Sequence, residues 1–345
     1  METIWFLVVA FMLTAYVVLD GFDLGVGVLY KLVARSGEER ALVRQSIGAV
    51  WDANEVWLLA AGAVLYFAFP QLYASSFSGF YLPLMMVLWM LIGRALGLEL
   101  PGHLDDPIAR ELCETIFTVS SALLIIFFGA ALGNVVRGVP LDADGYFFLP
   151  LWTSFRPDAN PGVLDWYTVL CGVVALVALT THGAHYLAAR LAGPLGMRAL
   201  RIGRWGSLIL PVVTAASLAG TLLVRPSILH HFRTRPAGLL LPAGVVASLI
   251  AMNVFARRGE VWKAFLASSG YLVGMLGGAA FALFPVLLPA IDPARSLTID
   301  NVHTSAYAMR VGLTWWLVAF LLVLGLFSFV YRGIRVKVRA EDGGH

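Results

Sequence analysis

The sequence predicts an all-α integral membrane protein with about nine transmembrane helices in a single transmembrane domain, residues 1–345. Hydrophobic residues make up 59% of the chain and charged residues 13%, about half the roughly 25% that is typical of a soluble domain. The mean hydropathy is +0.82. Apolar runs near 20 residues recur along the chain, and each is long enough to cross a hydrocarbon core about 30 Å thick.

The predicted helices follow these apolar runs in order, and no segment between them is long enough for a separate soluble domain. The chain starts METIWFLVVAF, without a basic region or a small-residue cleavage site, which predicts a retained first span rather than a signal peptide. The predicted ranges are 4–30, 50–69, 77–98, 115–136, 164–189, 203–224, 237–256, 261–288 and 305–331.

The loop charges predict an orientation in the membrane. Of the 24 Lys and Arg residues, sixteen fall in loops on one side, among them Arg335, Lys337 and Arg339. Six fall on the other side, while Arg94 and Arg310 lie within or at the ends of spans. The more basic side is expected in the cytoplasm, which places the N-terminus outside and the C-terminus inside. The bases are divided among loops rather than gathered in a patch, so no nucleic-acid partner is expected.

Two acidic pairs lie in or beside the first two spans, where charge is costly. Asp20 and Asp23 share one face of the first helix, and Asp52 and Glu55 repeat the spacing in WDANEVW. In one interpretation Asp20 and Asp23 reach lipid headgroups or pair with Arg or Lys. In another they join a cluster inside the bundle. The positive end of the second helix is able to stabilise Asp52. In the other interpretation the four carboxylates form a proton relay, because burial favours a neutral form that exchanges protons near neutral pH.

The third helix contains a further pair of charges. Arg94 and Glu99 are five residues apart, about 140° around the helix, so each is expected to pair with another helix or with the cytoplasmic interface. Glycines at four-residue spacing, such as Gly21 and Gly25, predict close helix packing.

The histidines do not form a metal-ligand pattern. His182 and His185 are three apart on one predicted helix face, and two ligands on one face cannot hold opposite sides of a haem iron. Hydrogen bonding between helices is the alternative. Cys113 and Cys171 form no CxxC motif, and the sequence contains no P-loop, GxSxG, HExxH or dinucleotide fingerprint.

Five long motifs follow one another along the chain: LDGFDLGVG (19–27), VWDANEVWL (50–58), FPQLYASSFSGFY (69–81), GAALGNVVRGVP (129–140) and FPVLLPAIDPARSLTIDN (284–301). In this order they resemble subunit II of cytochrome bd-type terminal oxidases. The segment 141–170 is most similar to the cyanide-insensitive, or cytochrome-c-oxidising, branches.

The resemblance implies two four-helix bundles plus a peripheral helix, in a bacterial cytoplasmic membrane. It implies a subunit without haem or metal, and without redox activity alone, that supports assembly of a haem-bearing subunit I. That partner carries b and d haems, or b haems only, and the complex reduces O₂ to water with quinol as the usual donor. Cytochrome c as donor, a small accessory subunit, and a structural quinone or lipid stay open.

The resemblance also implies that Asp52 is a proton-path residue, with Trp51, Asn54 and Trp57 setting the contact around it. The predicted proton path comprises Asp20, Asp23, Asp52 and Glu55, and the supporting residues are Trp51, Asn54, Trp57, Arg94 and Glu99. Two alternatives remain: a passive scaffold in the same complex, and a proton-coupled secondary transporter. The transporter is disfavoured because the acidic residues cluster toward one side and no inverted repeat is evident.

Overall fold

The computed structural model of the protein describes residues 1–158 and 160–332. Within these ranges the chain forms twelve α-helices and two short strands. The helices are α1 (Glu2–Val33), α2 (Gly37–Gly48), α3 (Trp51–Ala68), α4 (Pro70–Gly79), α5 (Tyr81–Glu99), α6 (Pro107–Arg137), α7 (Trp166–Arg190), α8 (Gly193–Val224), α9 (Ile228–Thr234), α10 (Leu240–Arg258), α11 (Val261–Leu283) and α12 (Ala306–Arg332), and the strands are β1 (Val286–Leu288) and β2 (Leu297–Thr298).

The nine longest described helices correspond to the nine predicted runs. Eight of them, in the described part of the chain, are long and apolar enough to span a membrane. The ninth is α3, whose first turns carry Asp52, Asn54 and Glu55 and so lower the apolarity of an 18-residue helix. The predicted fold class is therefore confirmed, with nine as an approximate number of spans.

Several predicted boundaries are wrong. The run predicted at 261–288 ends as a helix at Leu283, because the residue before Pro285 is disfavoured in the helical region. The chain then forms β1, which pairs antiparallel with β2. The helix predicted from 115 begins at Pro107, where the Asp106 side chain accepts hydrogen bonds from the amides of the first turn. The helix predicted from 203 begins at Gly193.

The long helices form two groups of four, with one helix outside them. The first group contains α1, α3, α5 and α6, and the second contains α7, α8, α10 and α11. α12 lies against the outer surface of the first group, where Phe320 contacts Phe11 and Trp57. Met309 is the only buried residue in the described helix α12. These packings agree with two four-helix bundles and a peripheral helix.

The two groups meet where α1 and α6 pack against α7. A Cβ added at Gly25 would lie 2.0 Å from the carbonyl oxygen of Leu179 and 3.0 Å from Gly183 Cα. A methyl group cannot fit at these distances, so the glycines set the separation of the helix axes. This confirms the packing role predicted for the Gly21–Gly25 spacing.

The two ends of the helical array are built differently. At one end, α2 packs the buried residues Val43 and Ile47 against the neighbouring helices. At the other end, the segment between α6 and α7 packs against the β1–β2 hairpin, with a parallel bridge between Val139 and Ala290. The basic residues Arg335, Lys337 and Arg339 used for the predicted orientation lie outside the described residues.

Candidate functional site

A buried ion pair joins α1 to α5 inside the first helix group. Both terminal guanidinium nitrogens of Arg94 contact the Asp20 carboxylate, with Nη1 2.8 Å from Oδ2 and Nη2 2.5 Å from Oδ1. Both side chains are fully buried. Glu55 of α3 lies 3.6 Å from Arg94 Nη1 with its side chain 21% exposed. Three helices therefore place two carboxylates around one cation, and Asp20 pairs with Arg rather than reaching headgroups.

A second buried carboxylate lies one turn further along α1. Asp23 Oδ2 accepts a hydrogen bond of 2.7 Å from Asn54 Nδ2, which also donates to the Leu19 carbonyl at 3.2 Å. Asp23 Oδ1 is buried and has no hydrogen-bond partner in the described part of the chain. The Tyr331 hydroxyl at the end of α12 donates to Asn54 Oδ1 at 2.7 Å. Asp23 and Arg94 also lie within electrostatic reach of each other.

Asp52 does not belong to this buried cluster. Its side chain is exposed on the surface of the described chain, although Glu55 is one turn further along the same helix. Val56 and Leu59, 51% and 71% exposed, follow Asp52 on the same face of α3. The prediction of one cluster containing all four carboxylates therefore needs correction, because the 100° step per residue turns Asp52 outward while Asn54 turns inward.

The residues predicted to surround Asp52 contact other groups instead. Asn54 binds Asp23, and Trp57 is buried among aromatic rings that include Phe327, at a centroid distance of 5.7 Å. The Trp51 indole N–H donates to Glu99 at 3.1 Å, and the Arg94 guanidinium lies 5.9 Å from the Trp51 ring. Trp51 and Glu99 thus link α3 to α5 beside the Arg94–Asp20 ion pair. The expectation that each charge of α5 pairs across helices is confirmed.

A second network, at the α2 end, was missed by the sequence reasoning. Buried Glu114 accepts hydrogen bonds from Tyr30 at 2.9 Å, from Arg40 at 2.5 Å and from Arg44 at 3.0 Å. The hydrogen bond from Arg40 to Glu111 is the main reason that the pKa of the Arg40 guanidinium is raised. The signal available in the sequence was a short charged segment, GEERALVR, whose bases recur at helical spacing.

His182 and His185 hydrogen-bond to residues of other helices. His182 Nδ1 lies 2.7 Å from Ser268 Oγ, and its Nε2 lies 3.0 Å from the Val18 carbonyl oxygen. His185 Nε2 lies 2.9 Å from Ser207 Oγ. A Cβ at Gly203 would come within 2.9 Å of the His185 ring, so the α8 backbone covers it. These residues do not fit axial ligation of iron, and the alternative of interhelical hydrogen bonding is confirmed.

Nor do other side chains gather as a metal site. Within residues 1–158 and 160–332, no group of three or more His, Cys, Asp and Glu side chains is arranged to hold a metal ion. The groups gathered here are carboxylates, a guanidinium, an amide and hydroxyls, and of these the carboxylates are the ones that change protonation state most readily.

Comparison with known proteins gives one consistent result. The family described as cytochrome bd terminal oxidase subunit II matches residues 1–334. The cytochrome bd-I ubiquinol oxidase subunit 2 of Escherichia coli strain K12 is 30% identical, over 98% of this chain and 95% of that protein. The cytochrome bd ubiquinol oxidase subunit 2 of Bacillus subtilis strain 168 is 28% identical, over 90% of this chain and 89% of that protein.

The fold has a counterpart among solved structures. A chain of the bd oxidase from Geobacillus thermodenitrificans superposes with a TM-score of 0.74 at 16% identity, over 96% of this chain and 97% of that chain. The identity is low, so this likeness concerns the fold alone. The family match over residues 1–334 and the 30% identity to the E. coli subunit mean that this multi-pass membrane chain belongs to the cytochrome bd terminal oxidase subunit II family and is part of an oxidoreductase complex.

Proposed function

We propose that this chain is the haem-free subunit II of a quinol:O₂ oxidoreductase in a bacterial inner membrane. It supports assembly of the haem-bearing subunit I and carries protons toward that subunit from the cytoplasm. Quinol as donor is favoured by the printed names of the E. coli and B. subtilis relatives. The orientation with the N-terminus outside and the C-terminus in the cytoplasm follows from the loop charges.

The observation that carries the proton-delivery proposal is a line of carboxylates from the protein surface to its interior. Asp52 is exposed, Glu55 is partly exposed, and Asp20 and Asp23 are fully buried. Arg94 binds Asp20 and approaches Glu55, which keeps negative charge tolerable at this depth. Ionisable groups inside a membrane are costly, and carboxylate chains of this kind mark proton relays in membrane proteins.

The position of Asp52 favours transfer of protons to another subunit. Its face of α3 also exposes Val56, Leu59 and Tyr66. A single carboxylate on an apolar face is poorly suited to lipid and well suited to a protein partner that hydrogen-bonds it. We assign this face to contact with subunit I, so that Asp52 is the residue that exchanges protons across the boundary.

A passive scaffold is the second candidate, favoured by the Arg94–Asp20 ion pair, which would hold α1 and α5 together without any proton transfer. Replacement of Asp52 separates the two candidates. In the intact complex, Asp52→Asn keeps the size of the side chain and removes its titratable group. With proton delivery, O₂ consumption per haem falls about 100-fold or more while haem content stays normal.

The matched control is Asp144→Asn, which removes an exposed carboxylate from the segment between α6 and α7. It should leave turnover per haem unchanged. If Asp52→Asn also turns over at the wild-type rate with normal haem content, then the proton role of Asp52 is wrong and the scaffold remains. The transporter alternative is disfavoured by membership of the oxidase family.

A further inference from the structure

The peripheral helix α12 is linked to the buried Asp23 carboxylate by Tyr331, whose hydrogen-bond partner Asn54 binds Asp23. Most of α12 faces outward, with Trp315 70% exposed and Leu322 71% exposed. Near its end, however, Tyr331 donates its hydroxyl proton to Asn54 Oδ1 at 2.7 Å. The Tyr331 ring stacks on Phe327 with centroids 5.8 Å apart, so the hydroxyl is held in place by the helix itself.

The hydrogen bonds of Asn54 specify which way its amide faces. Nδ2 donates to Asp23 Oδ2 at 2.7 Å and to the Leu19 carbonyl at 3.2 Å. If the amide were reversed, its oxygen would face a carboxylate and a carbonyl, neither of which donates a hydrogen bond while Asp23 is ionised. Tyr331 donates its hydroxyl proton to Oδ1, which leaves both Nδ2 hydrogens for Asp23 and the Leu19 carbonyl and adds a third contact that holds the amide in place.

We propose that Tyr331 is a positioning residue for proton transfer, which holds the Asn54 amide in the orientation that donates to Asp23. The inference rests on the proposed function and extends it to α12. Asp23 Oδ1 has no hydrogen-bond partner in the described part of the chain, so the carboxyl group retains one oxygen that can receive or release a proton. The amide held by Tyr331 stabilises the ionised form at the other oxygen.

Several charged and titratable groups face Asp23 from the elements packed around it. The charged groups within electrostatic reach of Asp23 are the carboxylates of Asp20 and Glu55 and the guanidinium of Arg94. Two hydroxyl groups, those of Tyr186 in α7 and Tyr331 in α12, also lie within electrostatic reach. Of these groups, Tyr331 is the one that acts on Asp23 through Asn54, and its removal leaves the charges of the others in place.

The test uses the intact oxidase complex with Tyr331→Phe in this chain. Phenylalanine keeps the ring that stacks on Phe327 and removes only the hydroxyl group. The matched control is Tyr307→Phe, on the same helix, where the side chain is 74% exposed. O₂ consumption is measured as a function of pH and expressed per haem, so a smaller yield of complex changes the amount and not the position of the profile.

We expect the Tyr331→Phe profile to move toward higher pH by about 0.5–1 unit, because an Asn54 amide without the hydrogen bond at Oδ1 is held less firmly and stabilises ionised Asp23 less. Tyr307→Phe should overlay the wild type. The C=O stretching band of protonated Asp23, assigned by its loss in Asp23→Asn, should shift in infrared difference spectra of Tyr331→Phe only.

Asp23→Asn separates a failure of the positioning role of Tyr331 from a failure of the proton relay. If it loses turnover at normal haem content while Tyr331→Phe matches the wild type in both profile and infrared band, the positioning role is wrong and the relay stands. If Asp23→Asn turns over normally, Asp23 is not part of the relay, and the positioning role of Tyr331 falls with it.

Discussion

Replacement of Arg94 by Met tests how the buried charges are held in the first helix group. Arg94 is the cation that contacts Asp20 through two nitrogens and approaches Glu55 through one. Methionine fills much of the same volume without charge. In Arg94→Met the carboxylates keep their positions and lose the cation that they contact. In either protonation state they then lack the Arg94 partner.

The geometry sets the size of the effect. With N···O distances of 2.8 and 2.5 Å, the charge centres of Arg94 and Asp20 are about 4 Å apart. At an effective dielectric constant of about 20, this corresponds to about 4 kcal/mol of attraction. Removal of one partner from a buried pair costs about 3–5 kcal/mol, because the other charge stays buried without compensation. We therefore expect the midpoint of thermal inactivation to fall by roughly 5–10 °C.

The assay is loss of O₂ consumption by purified complex after heating, with haem content as the measure of assembly. Arg310→Met is the control, since Arg310 is exposed at the start of α12. The double variant Asp20→Asn with Arg94→Met should be more stable than Arg94→Met alone, because no unpaired Asp20 charge remains. If the double variant is less stable by the sum of the single effects, the two side chains are not coupled and the reasoning is refuted.

Two further predictions concern the contacts between helices. Gly25→Ala should sharply reduce the yield of assembled complex, because the added Cβ meets the Leu179 carbonyl oxygen. The control Gly278→Ala, where a Cβ would have nothing within 4 Å, should assemble normally. A normal yield of Gly25→Ala would contradict the close approach of α1 and α7. At the α2 end, the hydrogen bond from Arg198 holds the pKa of the Glu39 carboxyl below its usual 4.5. The stabilisation of α2 by Glu39 is therefore complete above pH 4.5 and lost as the pH falls through the lowered pKa. Limited proteolysis near α2 should become faster in the wild type as the pH falls through that range. In Glu39→Gln, which has no carboxylate to protonate, the increase should be smaller.

The sequence was sufficient for the family, the membrane class and the number and order of long helices. Long apolar runs indicate membrane-spanning helices, because a segment in the hydrocarbon region must satisfy its backbone hydrogen bonds internally and so forms a helix. It also identified Asp20, Asp23, Glu55 and Arg94 as residues of interest, since charge within an apolar run is rare enough to stand out, and the resemblance added Asn54.

Only the tertiary structure decided which of these residues meet. Asp20 binds Arg94, 74 positions away, and Asn54 turns to Asp23 while Asp52 faces outward. Periodicity places a side chain on a face of its own helix, but the rotation and depth of neighbouring helices depend on packing at contacts such as Gly25 against α7.

The same reason explains the elements that the sequence did not reveal. Glu114 has no local partner, and its three donors come from α1 and α2. Tyr331 lies in an apolar run whose pattern predicts only a span, and its contact with Asn54 joins residues 277 positions apart. Local composition determined which segments are helices and which of them carry charge, and long-range packing decided which charges share a site.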